Sequence, residues 1–217
     1  MAAMFAEKGA KVWLLDLVGD QCLAAAEELR QKGYEAYGCQ LDVTSEEGWK
    51  GVIGKIEETH GRIDVLINNA GFGISGAMEF TDDADARRLM DVNLFGMNNM
   101  ILAVLPHMRK AGKGRIVNLS SVAAALAIPF QAWYSASKAA VNALTMALAN
   151  EVKPFGISVC CVMPGDIKTG FTAARKKSFD GDDIYQGRIE RSVSRMEKDE
   201  QNGMDPKIAG RFIGKIA

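Results

Sequence analysis

Apolar positions along this chain fall into two alternating patterns. Short, nearly continuous apolar runs occupy residues 12–16, 35–41, 65–68, 115–120 and 157–163, and longer stretches between them repeat apolar residues every three or four positions. The first pattern predicts strands buried on both faces and the second predicts amphipathic helices, so their alternation predicts a parallel α/β sheet. Asp20 is expected to cap a helix ending at Gly33, and Thr44 with Glu47 reads as a capping box for a helix ending near Gly61. Two long helical stretches cover residues 82–110 and 132–152, and Gly96 inside the first predicts close packing or a bend. From Gly170 to Gly203 the pattern breaks into a charged, glycine-punctuated segment carrying Phe171, Phe179, Tyr185 and Met196. That stretch predicts a mobile, lid-like excursion with partial helix, not a second domain. An amphipathic helix from about Pro206, with Ile208, Phe212, Ile213 and Ile216, closes the chain.

Composition narrows the picture. With 217 residues, 48% of them hydrophobic, the chain is long enough for one large core, and residues 1–217 are expected to form a single domain. A net charge of -1 supplies no general attraction to nucleic acid or an anionic membrane, which leaves small-molecule chemistry as the expectation. Cys22, Cys39, Cys160 and Cys161 lack Cys-x-x-Cys spacing, and the adjacent pair would point to opposite faces of a strand. Reduced, buried thiols in a cytoplasmic protein are the expectation. His60 and His107 are the only histidines, and no metal site is expected. There is no signal-peptide pattern, and no apolar run reads as a membrane span.

The candidate chemistry centres on Tyr134-Ser135-Ala136-Ser137-Lys138, with Ser121 upstream. Residues four apart share a helix face, so a phenol and an ammonium sit side by side. A free tyrosine, with a pKa near ~10, is too weak an acid to exchange a proton at neutral pH, and a nearby ammonium is expected to favour the phenolate. Chance alone supplies such a pair in roughly one chain of this composition in four. The rest of a site has to be present for the pair to mean anything.

Several motifs stand in order around it: Asp16 ending the first apolar run, Asp42-Val43, Asn68-Asn69-Ala70-Gly71, Asn93, Ser121, Tyr134-x-x-x-Lys138 and Pro164-Gly165. In order and spacing this set resembles the short-chain dehydrogenase/reductase family over essentially the whole chain. The resemblance implies a Rossmann-like, doubly wound parallel sheet binding NAD(P). It implies hydride transfer between the nicotinamide and an alcohol or ketone, with Tyr134 moving the proton, Ser121 bonding the substrate oxygen, Lys138 holding the nicotinamide ribose, and Asn93 supporting Lys138 through a water. Asp16, Asp42, Val43, Asn69, Ala70, Gly71, Tyr134, Lys138, Pro164, Gly165 and Thr169 are the implied cofactor-binding residues. A carboxylate at Asp16 suits a ribose 2′-hydroxyl and repels a 2′-phosphate, so NAD is favoured over NADP. The individual residues have ordinary readings as well. Asp16 suits a capping or solvated aspartate, Asp42 can precede the Thr44 cap, residues 68–71 suit a strand-to-loop turn, and Ser121, Asn93 and Lys138 suit a loop hydroxyl, a mid-helix polar residue and a solvated face.

Phe72, Ile74 and the segment 122–130, which includes Leu126, Ile128 and Phe130, suggest a bulky, apolar alcohol or ketone, with core packing as the competing role. By the same resemblance, the stretches 82–110 and 132–152 form a homodimer or homotetramer interface. The family pattern also calls for a strand and glycine-rich turn before the first helix, whereas the chain opens at Met1-Ala2-Ala3-Met4 already in that helix. The expectation is therefore a chain truncated at its start and its end, whose sheet lacks the first, central strand and whose NAD binding is weak. A truncated, non-catalytic binding or scaffolding protein is the alternative function.

Overall fold

The computed structural model describes all 217 residues. Its elements run α1 (Ala2–Glu7), β1 (Val12–Asp16), α2 (Gly19–Gln31), β2 (Ala36–Gln40), α3 (Glu46–His60), β3 (Val65–Asn68), β4 (Ile74–Ser75), α4 (Asp83–Met90), α5 (Met97–Ala111), β5 (Gly114–Leu119), α6 (Ala132–Val152), β6 (Ile157–Val162), α7 (Phe171–Ala174), β7 (Lys176–Lys177), α8 (Arg188–Gln201) and α9 (Pro206–Ile216). The five expected strands all form, within a residue of the apolar runs. Every pairing is parallel: β1 with β2, β3 with β5, β5 with β6, and the short β4 with β7. Helices return the chain between the parallel strands, and the fold is Rossmann-like α/β.

The main sheet is in two pieces, β1-β2 and β3-β5-β6, with no ladder between β1 and β3. Side chains join the two pieces instead: Trp13 and Leu15 of β1 pack on the same core as Ile101, Val104 and Met108 of α5 and Ile116 of β5. Ile101, Val104, Met108 and Ile116 are at most 1% exposed, and complete burial of such side chains contributes about 1.5–3 kcal/mol each. The core carries the connection that the backbone ladder does not make.

Three local expectations need correction. Asp20 does not cap α2, whose N-cap is Val18 and lacks a side-chain bond; the Asp16 carboxylate instead accepts from the Val18 amide at 2.9 Å. Ser45, not Thr44, caps α3 by accepting from the Gly48 amide, because the Thr44 amide and hydroxyl are already bonded to Asp42. The stretch Asp83–Ala111 is 29 residues long and apolar enough to cross a membrane by length and composition. It packs over β3 and β5 as a core helix, with Leu89, Ile101 and Val104 buried.

Two further features prepare the site. Residues Asp91–Gly96 form a single π-helical turn between α4 and α5, a wider winding that recurs where a side chain must be re-aimed. Gly96 is there for close packing, since a Cβ would lie 2.5 Å from Cγ2 of Val43. The segment 170–203 is more ordered in secondary structure than its sequence suggests: α7, β7 and α8 lie within it, and Ile189 and Val193 of α8 bury against Ala77, Phe80 and Tyr185.

Candidate active site

The carboxyl ends of β3, β5 and β6 open onto the amino-terminal turns of α6, and a polar ladder fixes their register. Asn68 donates to Asn118 at 2.8 Å, Asn118 donates to Thr145 at 2.9 Å, and the Thr145 hydroxyl donates to the Val141 carbonyl at 2.6 Å. This chain crosses β3, β5 and α6 through two side chains, Asn118 and Thr145, no more than 2% exposed. Breaking it leaves buried donors unpaired at about 1–3 kcal/mol each, which keeps α6 in one place against the sheet.

On that helix Tyr134 and Lys138 are both buried, at 8% and 6% exposure. Burial, the largest influence on Tyr134, pushes its phenol above the ordinary value; the hydrogen-bonding Ser121 hydroxyl and the Arg175 charge pull it down, and Glu200 pushes it up. Lys138 is brought down to about 8 by burial. Its Nζ lies 5.8 Å from the Tyr134 ring centre and donates to the Leu119 carbonyl at 2.8 Å. The expectation that the ammonium draws the phenol toward the phenolate is corrected: burial raises the phenol, and the groups that pull it down are Ser121 and Arg175, not Lys138. Lys138 keeps further N–H donors beyond the Leu119 bond.

Asn93, turned inward by the π turn, is 2% exposed. Its amide accepts from the Phe72 N–H and donates to the Phe72 carbonyl, both at 3.0 Å, and it also reaches the Ser137 hydroxyl at 3.1 Å. Direct partners thus explain a polar residue in mid-helix. A Cβ on Gly71 would stand 2.9 Å from Asn93 Oδ1 and 3.5 Å from Lys138 Nζ. Gly71, Asn93, Ser121, Tyr134 and Lys138 therefore belong to one cluster. Ser121 starts a turn by accepting from the Ala123 amide, and the Pro164 carbonyl accepts from the Val122 amide at 3.0 Å, which brings Pro164 beside it. Tyr134 shares a buried apolar cluster with Ile74, Leu89 and Ala123, against which Phe72, Ile128 and Phe171 pack, and its ring lies 5.7 Å from that of Phe171, whereas Phe130 packs away with Tyr185 and Leu126 is 67% exposed.

The remaining sequence candidates lie along the same strand ends. Asn69, Ala70, Gly165 and Thr169 are exposed, and Thr169 accepts from the Phe171 amide at 3.2 Å. Asp16 and Asp42 lie at the neighbouring ends of β1 and β2, where the Leu41 amide donates to the Asp16 carbonyl at 2.8 Å. The Asp42 carboxyl is held below its ordinary range by the Thr44 hydroxyl and amide and by Arg88. Val43 meets Gly96 and accepts from Asn99 at 3.3 Å. A close-approach glycine backed by a buried amide, a lysine with spare donors and an exposed strand-end carboxylate together fit a nicotinamide dinucleotide. Sequence reasoning missed Arg175 and Glu200, which are buried together beside Phe171; twenty-five residues of separation left no periodic signal for that pair.

Known proteins resemble the chain in the same terms. The family model for short chain dehydrogenase matches residues 1–179. The 3-ketodihydrosphingosine reductase of Bacteroides thetaiotaomicron is 42% identical over 207 residues, covering 88% of this chain and 77% of that protein. The crystal structure of a gluconate 5-dehydrogenase from Burkholderia cenocepacia in complex with NADP and tartrate has a TM-score of 0.75 at 33% identity, covering 80% of this chain and 68% of the other. An NAD+-bound xylitol dehydrogenase reaches 0.77 at 32% identity, covering 88% and 70%. A sheet built of these strands, a matched family model and relatives at such identity leave one conclusion: the chain belongs to the short-chain dehydrogenase family of oxidoreductases.

Proposed function

We propose that the protein transfers hydride between a nicotinamide cofactor and a bulky, apolar alcohol or ketone, with Tyr134 as proton donor and acceptor. The observation that carries the reading is a phenol set in an apolar cluster with Ile74, packed by Phe72, Ile128 and Phe171, with Ser121 and Lys138 beside it. The cofactor, when bound, supplies or accepts the hydride. Tyr134 exchanges the proton with the substrate oxygen, and Ser121 hydrogen-bonds the same oxygen. Lys138 offers its spare donors to the nicotinamide ribose, and the ammonium form counts most in that role. Asn93 holds the Phe72 backbone and, with Gly71, would form part of the surface that holds the cofactor.

NAD is the preferred cofactor in this reading, because the exposed Asp16 carboxylate repels a 2′-phosphate and Leu17, Val18 and Gly19 bring no cation. The 3-ketodihydrosphingosine in the name of the 42% identical relative is in keeping with a ketone substrate. A homo-oligomer forms through α5 and α6, whose outer faces expose Phe95 beside α5, Leu102 and Met146. Residues 170–203 act as the substrate lid, and the protein works in the cytoplasm.

The test is a panel of alcohols and ketones at millimolar NAD or NADP, read by nicotinamide absorbance. Tyr134→Phe is expected to lower turnover by about 10²–10⁴-fold, the usual worth of a positioned proton-transfer group, while cofactor binding is retained. Full turnover by Tyr134→Phe removes the phenol from the reaction. One observation favours the non-catalytic binding module as a second reading, namely the unpaired edges of β1 and β3. Nicotinamide binding without turnover of any member of the panel is its expected signature.

A further inference from the structure

Arg175 and Glu200 form a bidentate ion pair inside the protein. The Arg175 side chain is 1% exposed and that of Glu200 11%. Arg175 Nη1 donates to Glu200 Oε2 at 3.1 Å, Nη2 donates to Oε1, and the Thr172 hydroxyl donates to Oε2 at 2.7 Å. The guanidinium also lies over the Phe171 ring, 5.4 Å from its centre, and Phe171 in turn packs 5.7 Å from the Tyr134 ring. On the other side Gly73 admits both groups, since a Cβ there would meet Phe171 at 3.2 Å and Arg175 Nε at 3.4 Å. Arg175 Nε itself is buried without a partner.

A buried ion pair is weak support for stability, because desolvating two charges costs about as much as their attraction returns. Two apolar side chains of the same volume would hold α7 and α8 together as well. The geometry therefore asks for another purpose, and the stacking order Tyr134, Phe171, Arg175, Glu200 supplies one. We propose that the Arg175–Glu200 pair is a positioning device for the proton-transfer phenol, clamping Phe171 onto Tyr134 and setting the charge behind it.

Two opposite charges set one above the other bias the phenol in opposite senses, Arg175 toward the phenolate and Glu200 toward the phenol. The other charged groups nearby are Lys138 on the helix of Tyr134 and, beyond the pair, Asp166, whose carboxyl is pushed upward by burial first and then by Glu200 and Asp199, with Arg175 opposing. Removing either member of the pair destroys the same clamp. The two removals nevertheless change the local charge with opposite sign, and this separates an electrostatic role from a merely structural one.

The proposal rests on the proton-transfer reading of Tyr134, and its test needs neither nicotinamide nor substrate. The phenol is titrated by NMR on protein labelled at tyrosine Cζ, with the Tyr134 resonance assigned by its loss in Tyr134→Phe. Glu200→Gln is expected to move the midpoint to lower pH, Arg175→Met to higher pH, and Arg175→Lys to stay near the wild type. Shifts of both charge-removing variants in one direction, or no shift in Glu200→Gln, overturn the proposal. Should Arg175→Met not fold, Glu200→Gln and Arg175→Lys decide the question with the same signs. Absence of turnover in the panel above would remove the oxidoreductase reading and leave this titration to judge the pair by itself.

Discussion

Lys138→Met tests the electrostatic account of the site without any ligand. Lys138 is 6% exposed, and its ammonium donates to the Leu119 carbonyl. Burial lowers its pKa from 10.5 to about 8, so holding the charged form at neutral pH costs about 3 kcal/mol, at ~1.4 kcal/mol per unit of pH. The sign follows from proton counting. Between pH 8 and 10.5 the unfolded chain binds more protons at this lysine than the folded one, so stability rises with pH across that window; below pH 8 the penalty is complete. Methionine removes the penalty but leaves the Leu119 carbonyl unpaired at about 1–3 kcal/mol, so the two proteins come out close at neutral pH. The pH dependence discriminates where the absolute stability does not. From about pH 7 to about pH 9.5 the wild type should gain about 2 kcal/mol relative to Lys138→Met. Urea unfolding followed by the fluorescence of Trp13, Trp49 and Trp133, at both pH values, measures this difference, and all other titrating groups cancel in the comparison. Parallel pH dependences in the two proteins would refute the assignment of a desolvated lysine.

Three further outcomes follow from the geometry. Gly71→Ala places a Cβ 2.9 Å from Asn93 Oδ1, and is expected to weaken nicotinamide binding about tenfold by calorimetry, or ~1.4 kcal/mol; unchanged affinity would remove Gly71 from the cofactor floor. Asp16→Ala should narrow the preference for NAD over NADP in kcat/KM, and an unaltered ratio would leave Asp16 with only its bond to the Val18 amide. Leu102→Asp with Met146→Glu puts charge on two apolar side chains more than half exposed, so light scattering should show a smaller particle than the wild type; equal masses would place the interface elsewhere.

The strand positions were legible because a parallel sheet buries both faces of its strands and writes them as continuous apolar runs. The cluster of Gly71, Asn93, Ser121, Tyr134 and Lys138 was legible through the order and spacing of motifs that resemble the short-chain dehydrogenase family, since each residue alone has an ordinary reading. Capping was harder to read. Val18 and Ser45 became the caps because their backbones are extended where the helix begins, and nothing in the spacing of Asp20 or Thr44 reveals which residue takes that conformation. The balance between the Tyr134 phenol and the Lys138 ammonium was illegible for a different reason. Sequence shows that the two are neighbours, whereas desolvation depends on the apolar cluster that Tyr134 joins in the fold. Arg175 and Glu200 meet only because α7 and α8 fold over one another, a contact that leaves no local trace.

The π turn at Asp91–Gly96 has a consequence for how the chain tolerates insertion and deletion. Losing one residue there would restore regular α-helix from Asp83 to Ala111, a locally more comfortable backbone. The same deletion would rotate the flanking faces by about 100° relative to one another, and a register that keeps Leu89 buried could no longer keep both Ile101 and the amide of Asn93 facing inward. Shortening of this helix is thereby closed off, because it would disconnect the Phe72 backbone from its amide partner.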